Sequence, residues 1–269
     1  MIRRHGEKDF FLIEQVDHAA LSAEMGRWIG NPRFSTPLPW QAFLLAVEQH
    51  DAGWALHDRN PTVNSQGWPT NVFETPLQLE LEIRGLCTDC AVQAEPYAGL
   101  LVSLHGLSLS RFAKPGQDAP HELFMLNKFQ HRQIEIQEEL RRRLGMRTDM
   151  PLFFGLAESG RSPEEDLLAF NFHALQLLDV LSLNICLDKT TFPSLDNVPT
   201  APGRPYATMR MSRPEPGIWT VDPWPFSRPQ IRVEVPARRI PMGSYTDAGL
   251  RETLAQATLG KVTAILHGK

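Results

Sequence analysis

Cysteine is scarce in this chain: three residues in 269. That excludes a disulfide scaffold and fits a reducing compartment. A basic field is also missing, since the formal net charge is −4, so nucleic acid is not expected as a partner through bulk electrostatics. No stretch approaches the ~20 apolar residues that a bilayer span needs, so no membrane partner is expected. The opening "MIRRHGEKDFF" is positively charged but has no apolar run after it, so it does not read as a signal peptide, and the expected location is cytoplasmic. Internal repeats and low-complexity tracts are absent as well. What is present is ordinary for a globular protein: 42% hydrophobic and 22% charged residues, in a length that suits one large domain or a domain with an appendage.

The pair Cys87 and Cys90 in "CTDC" invites a zinc or redox reading. A four-thiolate site needs a second close pair, and only Cys186 remains, so these read as ordinary thiols.

Up to about residue 190 the hydrophobic spacing predicts helices. "EQVDHAALSAEMGRWIG" repeats apolar residues at Val16, Ala20, Leu21 and Met25 and stops at Gly30-Asn31-Pro32. "LPWQAFLLAVEQHDAG" starts with Pro39 in a first-turn position and ends at Gly53. "HDRNPTVNSQGWPTN" is expected to be a polar loop and "FETPLQLELEIRGL" a short helix with Gly85 near its end. "EPYAGLLVSLHGLSLSRF" is apolar almost all round and reads as a buried helix. A long helix over "HELFMLNKFQHRQIEIQEELRRRLG" ends in arginines 141–143, expected to be a solvated helix end. Ser162 and Glu165 form a capping box ahead of "DLLAFNFHALQLLDVLSLNICL". Beyond a Pro-rich connector, "YATMRMSR", "IWTV", "QIRVEVPARRIP" and "KVTAILHG" read as short strands, with a helix at "DAGLRETLAQATLG". "WTVDPWPF" reads as an edge strand or a partial cover for a cleft. The expectation is therefore a mainly α protein, residues 1–190 a helical domain and residues 191–269 a small α+β extension.

"VEQHDAGWALHD" places His50 beside Asp51 at the end of an apolar stretch. Adjacent residues on a helix point about 100° apart. They can still converge on one object off the helix end, and for a neutral imidazole plus a carboxylate that object is most often a metal ion. His18, His105, His131 and Asp179 fall on other predicted helices, several among apolar neighbours. A charge in such a place carries a large desolvation cost unless it is paired or coordinated. Each residue alone has a plainer reading: an exposed helix position for His18, a helix-end imidazole for His50, a satisfied core histidine for His105, a partner for a buried cation in Asp179. His173, six residues before Asp179 and about 240° around the helix, reads as packing or surface.

Together these positions resemble the HD-domain superfamily, in which a His on an early helix, a His-Asp pair and an Asp on a late helix hold divalent metal inside a helical bundle. "HDAGW" is similar to its recurrent His-Asp-x-Gly-Lys stretch, with Trp54 where Lys is common, which removes a cation that can neutralise a phosphate. More narrowly, "QVDHAALS", "HDAGW", "YAGLLVSLHGL" and "DPWPF" resemble an uncharacterised bacterial family of unknown function related to HD proteins. The resemblance implies an HD-type helical bundle carrying a small C-terminal antiparallel β-sheet. It also implies His18, His50, Asp51 and Asp179 as ligands to a first ion. Two-metal members add two histidines from middle helices; His105 is the candidate for the first and His131 for the second, with His121 and His173 competing for that place.

Read this way, the expected function is a metal-dependent hydrolase acting on a small phosphate ester or related compound. Its cofactor would be one or two divalent ions, with Fe, Mn, Co, Ni and Zn not distinguished. Asp51 is the catalytic candidate on the metal; Asp17, His57 and Asp58 are candidate proton carriers. The alternatives are a di-iron oxygenase acting on a small polyol or phosphonate, which needs the same ligand types, and a non-catalytic sensor or scaffold. Retention of both His50 and Asp179 counts against the last. The partner in either enzyme reading is a small molecule; the sequence carries no reading of the oligomeric state.

Overall fold

The computed structural model describes residues 1–113, 119–148, 161–192 and 194–269. Its helices are α1 (Gln15–Gly26), α2 (Trp40–Gln49), α3 (Ala55–Arg59), α4 (Leu77–Ala94), α5 (Pro96–Ser110), α6 (Ala119–Arg143), α7 (Pro163–Leu187) and α8 (Asp247–Gln256). The strands are β1 (Ile2–His5), β2 (Asp9–Ile13), β3 (Leu195–Val198), β4 (Ala207–Glu215), β5 (Ile218–Asp222), β6 (Gln230–Pro241) and β7 (Leu259–Gly268).

A helix apolar on every side must be enclosed. α5 is, with α4 and α6 packed on it as well as α2 and α7. Glu95 starts it by accepting a bond from the Ala98 amide at 2.6 Å, just ahead of Pro96. The Ser162–Glu165 capping box opens α7 as expected. By length and composition α7 could cross a membrane, but 72% of its apolar window is buried inside the protein, as in a core helix. α1 packs against α2, α7 and β6, and so ties the bundle to the sheet.

The expectation of a mainly α bundle with a small C-terminal antiparallel sheet is wrong. The sheet has seven strands in the order β1-β2-β6-β7-β5-β4-β3, drawn from both sides of residue 190. It is mixed: β5 runs parallel to β7 and the other neighbours are antiparallel. The first thirteen residues supply a hairpin whose Phe10 lies opposite Ile240 on β6. β5, expected at an edge, is interior, between β7 and β4. Val233, Val235 and Ala237 of β6 alternate inward onto the main core with Trp219, Val221 and Leu266. After Ala237 the alternation changes parity, and Ile240 joins Phe10, Leu12, Leu250 and Leu254 in a second core beneath α8.

Smaller differences follow from packing. α4 does not end near Gly85 but runs on to Ala94, because Cys87, Thr88 and Ala91 continue its buried face. His57 and Asp58 lie in the short helix α3 rather than in a loop. Of the arginine run, Arg141 is buried while Arg142 and Arg143 are exposed.

Candidate functional site

The His-Asp pair converges because the helix stops between its members. His50 is the C-terminal cap of α2, in helical geometry, whereas Asp51 has φ −118° and ψ 17° and begins a 3-10 turn over Ala52–Trp54. The turn is seated on α4 at Gly53. A β-carbon there would lie 2.4 Å from the Ile83 carbonyl and 2.7 Å from the Cys87 nitrogen. Only glycine permits that approach. The Gly53 amide in turn donates to Cys87 Sγ at 3.3 Å. The thiol is therefore a packing and hydrogen-bonding partner, and burial pushes its pKa up. Cys90 is exposed.

Five side chains from the 3-10 turn and four helices meet at one point. His18 Nε2 lies 3.0 Å from Asp179 Oδ1 and 3.8 Å from Asp51 Oδ2. His50 Nε2 is 3.6 Å from each of the same two oxygens. His105 Nε2 is 3.5 Å from Asp179 Oδ2. The His50 ring meets the His18 and His105 rings edge-on, at 5.4 Å between centroids in both cases. All three histidines are at most 3% exposed.

The outer ring nitrogen of His50 fixes its tautomer. His50 Nδ1 sits 2.6 Å from the Val47 carbonyl, which can only accept, so Nδ1 carries the proton. His50 Nε2 is left buried and without a hydrogen-bond partner, facing the cluster. His18 Nδ1 contacts Ser182 Oγ at 2.7 Å, and Ser182 is itself held by Ser22 Oγ at 2.6 Å and the Asp179 carbonyl at 3.0 Å. Asp51 is steadied by Gln15 Nε2 at 3.2 Å. The Gln15 amide donates to Asp58 Oδ2 at 2.5 Å, and the Met1 amine sits 2.6 Å from Asp58 Oδ1. Sequence reasoning missed Gln15, Ser22 and Ser182. Ser22 lies four residues from His18 and Ser182 three from Asp179, the spacing that shares a helix face, and that was the available signal.

Charge explains the proton affinities. Burial alone lowers the His50 pKa, but Asp51, Asp179 and the Val47 carbonyl together outweigh it and raise it to about 9. Burial dominates at His105 and lowers it to about 4. Asp179 would be raised by burial, yet the His18 and His50 rings hold it well below the usual carboxylate range. The cluster thus concentrates negative charge that a proton or a cation must balance.

His18 Nε2, His50 Nε2 and one Asp179 oxygen lie within 4.8 Å of one another, spacing that can hold a metal ion. Donors about 2.0–2.3 Å from one ion lie at most about 4.6 Å apart, so only small adjustments are needed. The orphaned His50 Nε2, the imidazole and carboxylate donors and the fixed His50 tautomer all fit such an ion.

The other expected residues lie elsewhere. His131 is exposed on α6, its Nδ1 bonded to the Asn127 carbonyl at 2.8 Å, so the structure does not bring it to the cluster. Its position, two residues from buried Phe129 and about 200° around the helix, points it outward. His121 is also exposed. His173 is buried 4.8 Å from the Tyr206 ring, with Nδ1 3.2 Å from Gln176 Oε1, in a packing role. Asp17 and Asp58 line a cavity of about 260 Å³ with Arg59, Arg238 and Arg251, not the cluster itself. Burial, reinforced by Glu14 and Asp58, raises Asp17 to about 6. His57 packs edge-on to Trp54 at 6.4 Å. Asn64 and Asn71 bond within their own turns, as loop chemistry requires.

Fold and site together define a protein in which a helical bundle, closed on one side by a seven-stranded mixed sheet, surrounds one buried histidine–aspartate cluster able to hold a metal ion. The chain belongs to the family described as protein of unknown function (DUF3891), which it matches over residues 1–242. No curated protein and no solved structure matches it.

Proposed function

We propose that this protein is a metal-dependent hydrolase of the HD type, acting on a small phosphate ester or related compound with one divalent ion at the cluster. The observation that carries the reading is the outward proton of His50 and the inward, unpartnered nitrogen that it leaves. With His50 Nδ1 committed to Val47 and His18 Nδ1 to Ser182, both Nε2 atoms turn toward Asp179, and His50 Nε2 is buried with no hydrogen-bond partner. Metal-binding histidines are held this way, the far nitrogen donating to a fixed acceptor.

His18, His50 and Asp179 would hold the ion, with Asp51 beside them. A bound divalent ion supplies a lowered pKa for water and polarisation of a phosphoryl oxygen. Asp51, held by Gln15 Nε2, would take a proton at its carboxylate. Asp58 acts through Gln15 and is a positioning residue, since both of its oxygens are already engaged. Asp17 and His57 are not assigned a step. A one-ion site is preferred over the di-iron alternative because, among the described residues, no second histidine joins His105 once His131 points to solvent.

The test is hydrolysis of a panel of phosphomonoesters and phosphodiesters by the purified protein with Mn²⁺, Co²⁺, Ni²⁺ or Zn²⁺. The reading expects turnover that chelation removes and that His50→Ala lacks. Turnover that survives in His50→Ala, or no turnover with any of these ions across the panel, would overturn it.

A further inference from the structure

The outer face formed by α4 and α6 has no role in the cluster. A groove of about 250 Å³ runs between the two helices, floored by Leu81, Met125, Phe129 and Ile136. Gly85 leaves a notch in its α4 wall: a β-carbon there would meet nothing within 4 Å. Beyond the groove's walls, Leu86 follows Gly85 on α4 and Phe124 lies one turn before Lys128 on α6; they are 46% and 63% exposed. Large apolar side chains left in water beside an open apolar groove mark an interaction surface.

The charges on the two rims say what fits. Glu82 and Asp89 line the α4 side, and Lys128 and Arg132 line the α6 side. Among the described residues no ion pair links the rims: Glu82 accepts from Gln78 on its own helix, and Arg132 pairs with Glu135 on its own. A uniformly acidic or basic partner would match one rim and oppose the other. A second copy of the chain matches both. If the two-fold axis runs along the groove, α4 of each copy faces α6 of the other, acid over base twice. An axis across the groove would set α4 on α4, acid on acid.

We infer that the α4–α6 face is a homodimer interface with its two-fold axis along the groove. The size suits this. α4 has 18 residues and α6 has 25, or lengths of about 27 and 37 Å. Set about 10 Å apart, two such helices offer a face of several hundred Å², the scale of one partner's share of a standard interface, about 800 Å². The apolar floor between the rims supplies the centre, and the charged rims set register and pairing.

Sedimentation equilibrium on the full chain tests this. The wild type is expected to be a dimer at micromolar concentration. Glu82→Lys with Asp89→Lys puts base over base, and Lys128→Glu with Arg132→Glu puts acid over acid. Each double variant should raise the dimer dissociation constant at least about a hundredfold. Mixed in equal amounts, the two should pair again as a heterodimer, because both rims are then complementary. Gly85→Trp fills the notch without changing charge and should also give monomer, with an unchanged far-UV circular dichroism spectrum. A monomeric wild type, a double variant that dimerises as tightly as wild type, or a mixture that stays monomeric would each overturn the inference.

Discussion

Two buried polar groups share α5 and differ in one respect. On one side, Ser103 belongs to a neutral network: Gln133 Oε1 accepts from Ser103 at 2.8 Å and from Thr88 at 3.1 Å, and Gln137 donates to Ser103 at 3.0 Å. Two residues on, and about 200° around the helix, His105 enters the charged cluster with Asp179. The neutral network uses its hydroxyls and its shared acceptor internally. The charged cluster leaves His50 Nε2 and His105 Nδ1 without partners. A buried polar group left unsatisfied costs about 1–3 kcal/mol, which a fold can avoid by using a neutral, closed network such as the first. Burial of polar atoms alone therefore does not mark a site.

Substitutions sharpen this contrast. The largest effect is expected from His50→Ala, which should weaken divalent-metal binding by at least about a hundredfold, or about 2.7 kcal/mol, measured by competition with a chromogenic chelator. Ser182→Ala removes the hydrogen-bond partner of His18 Nδ1 without touching a proposed ligand. It should cost about tenfold to a hundredfold in the same assay. The neutral network should behave in the opposite way. Gln133→Leu should lower unfolding free energy by about 1–3 kcal/mol in urea denaturation while leaving metal affinity at the wild-type value. If Gln133→Leu weakens metal binding as much as Ser182→Ala does, the two regions are not distinct.

A separate effect concerns pH and lies outside both groups. Burial lowers His173 to about 4, whereas an unfolded histidine titrates near 6.5. Between those values the unfolded chain binds the extra proton and the folded chain does not. The His173 contribution is therefore fully present above about pH 6.5 and is lost as the pH falls toward 4. Its slope is at most about 1.4 kcal/mol per pH unit. His173→Gln should flatten the acid limb of the stability profile by up to that amount; an unchanged limb would show that His173 titrates normally in the folded protein.

The helices and the polar positions that converge in the cluster were legible because both are local signals. Ser162 and Glu165 announced α7, and an aspartate in "QLLDVLS" stood out by its charge among leucines. The sheet was not legible, because its pairings are not local. Nothing near Phe10 names Ile240 as its partner, and the parallel pairing of β5 with β7 needs a crossover that no short window displays. His131 was misplaced for a different reason. Its residue type suited a second ion, but the stripe through Leu126, Phe129, Gln133, Gln137 and Leu140 already defined the buried face of α6 and left His131 off it.

The central claim is that the cluster binds a metal through Asp179, and one comparison tests it most directly. Wild type and Asp179→Asn are each saturated with Mn²⁺, Co²⁺, Ni²⁺ or Zn²⁺, freed of unbound ion, and measured for metal per chain by inductively coupled plasma mass spectrometry. The account predicts close to one ion per chain in wild type. In Asp179→Asn it predicts a small fraction of that, with the far-UV circular dichroism spectrum unchanged. Equal metal content in the two proteins, or a wild type that retains none of these ions, would contradict it.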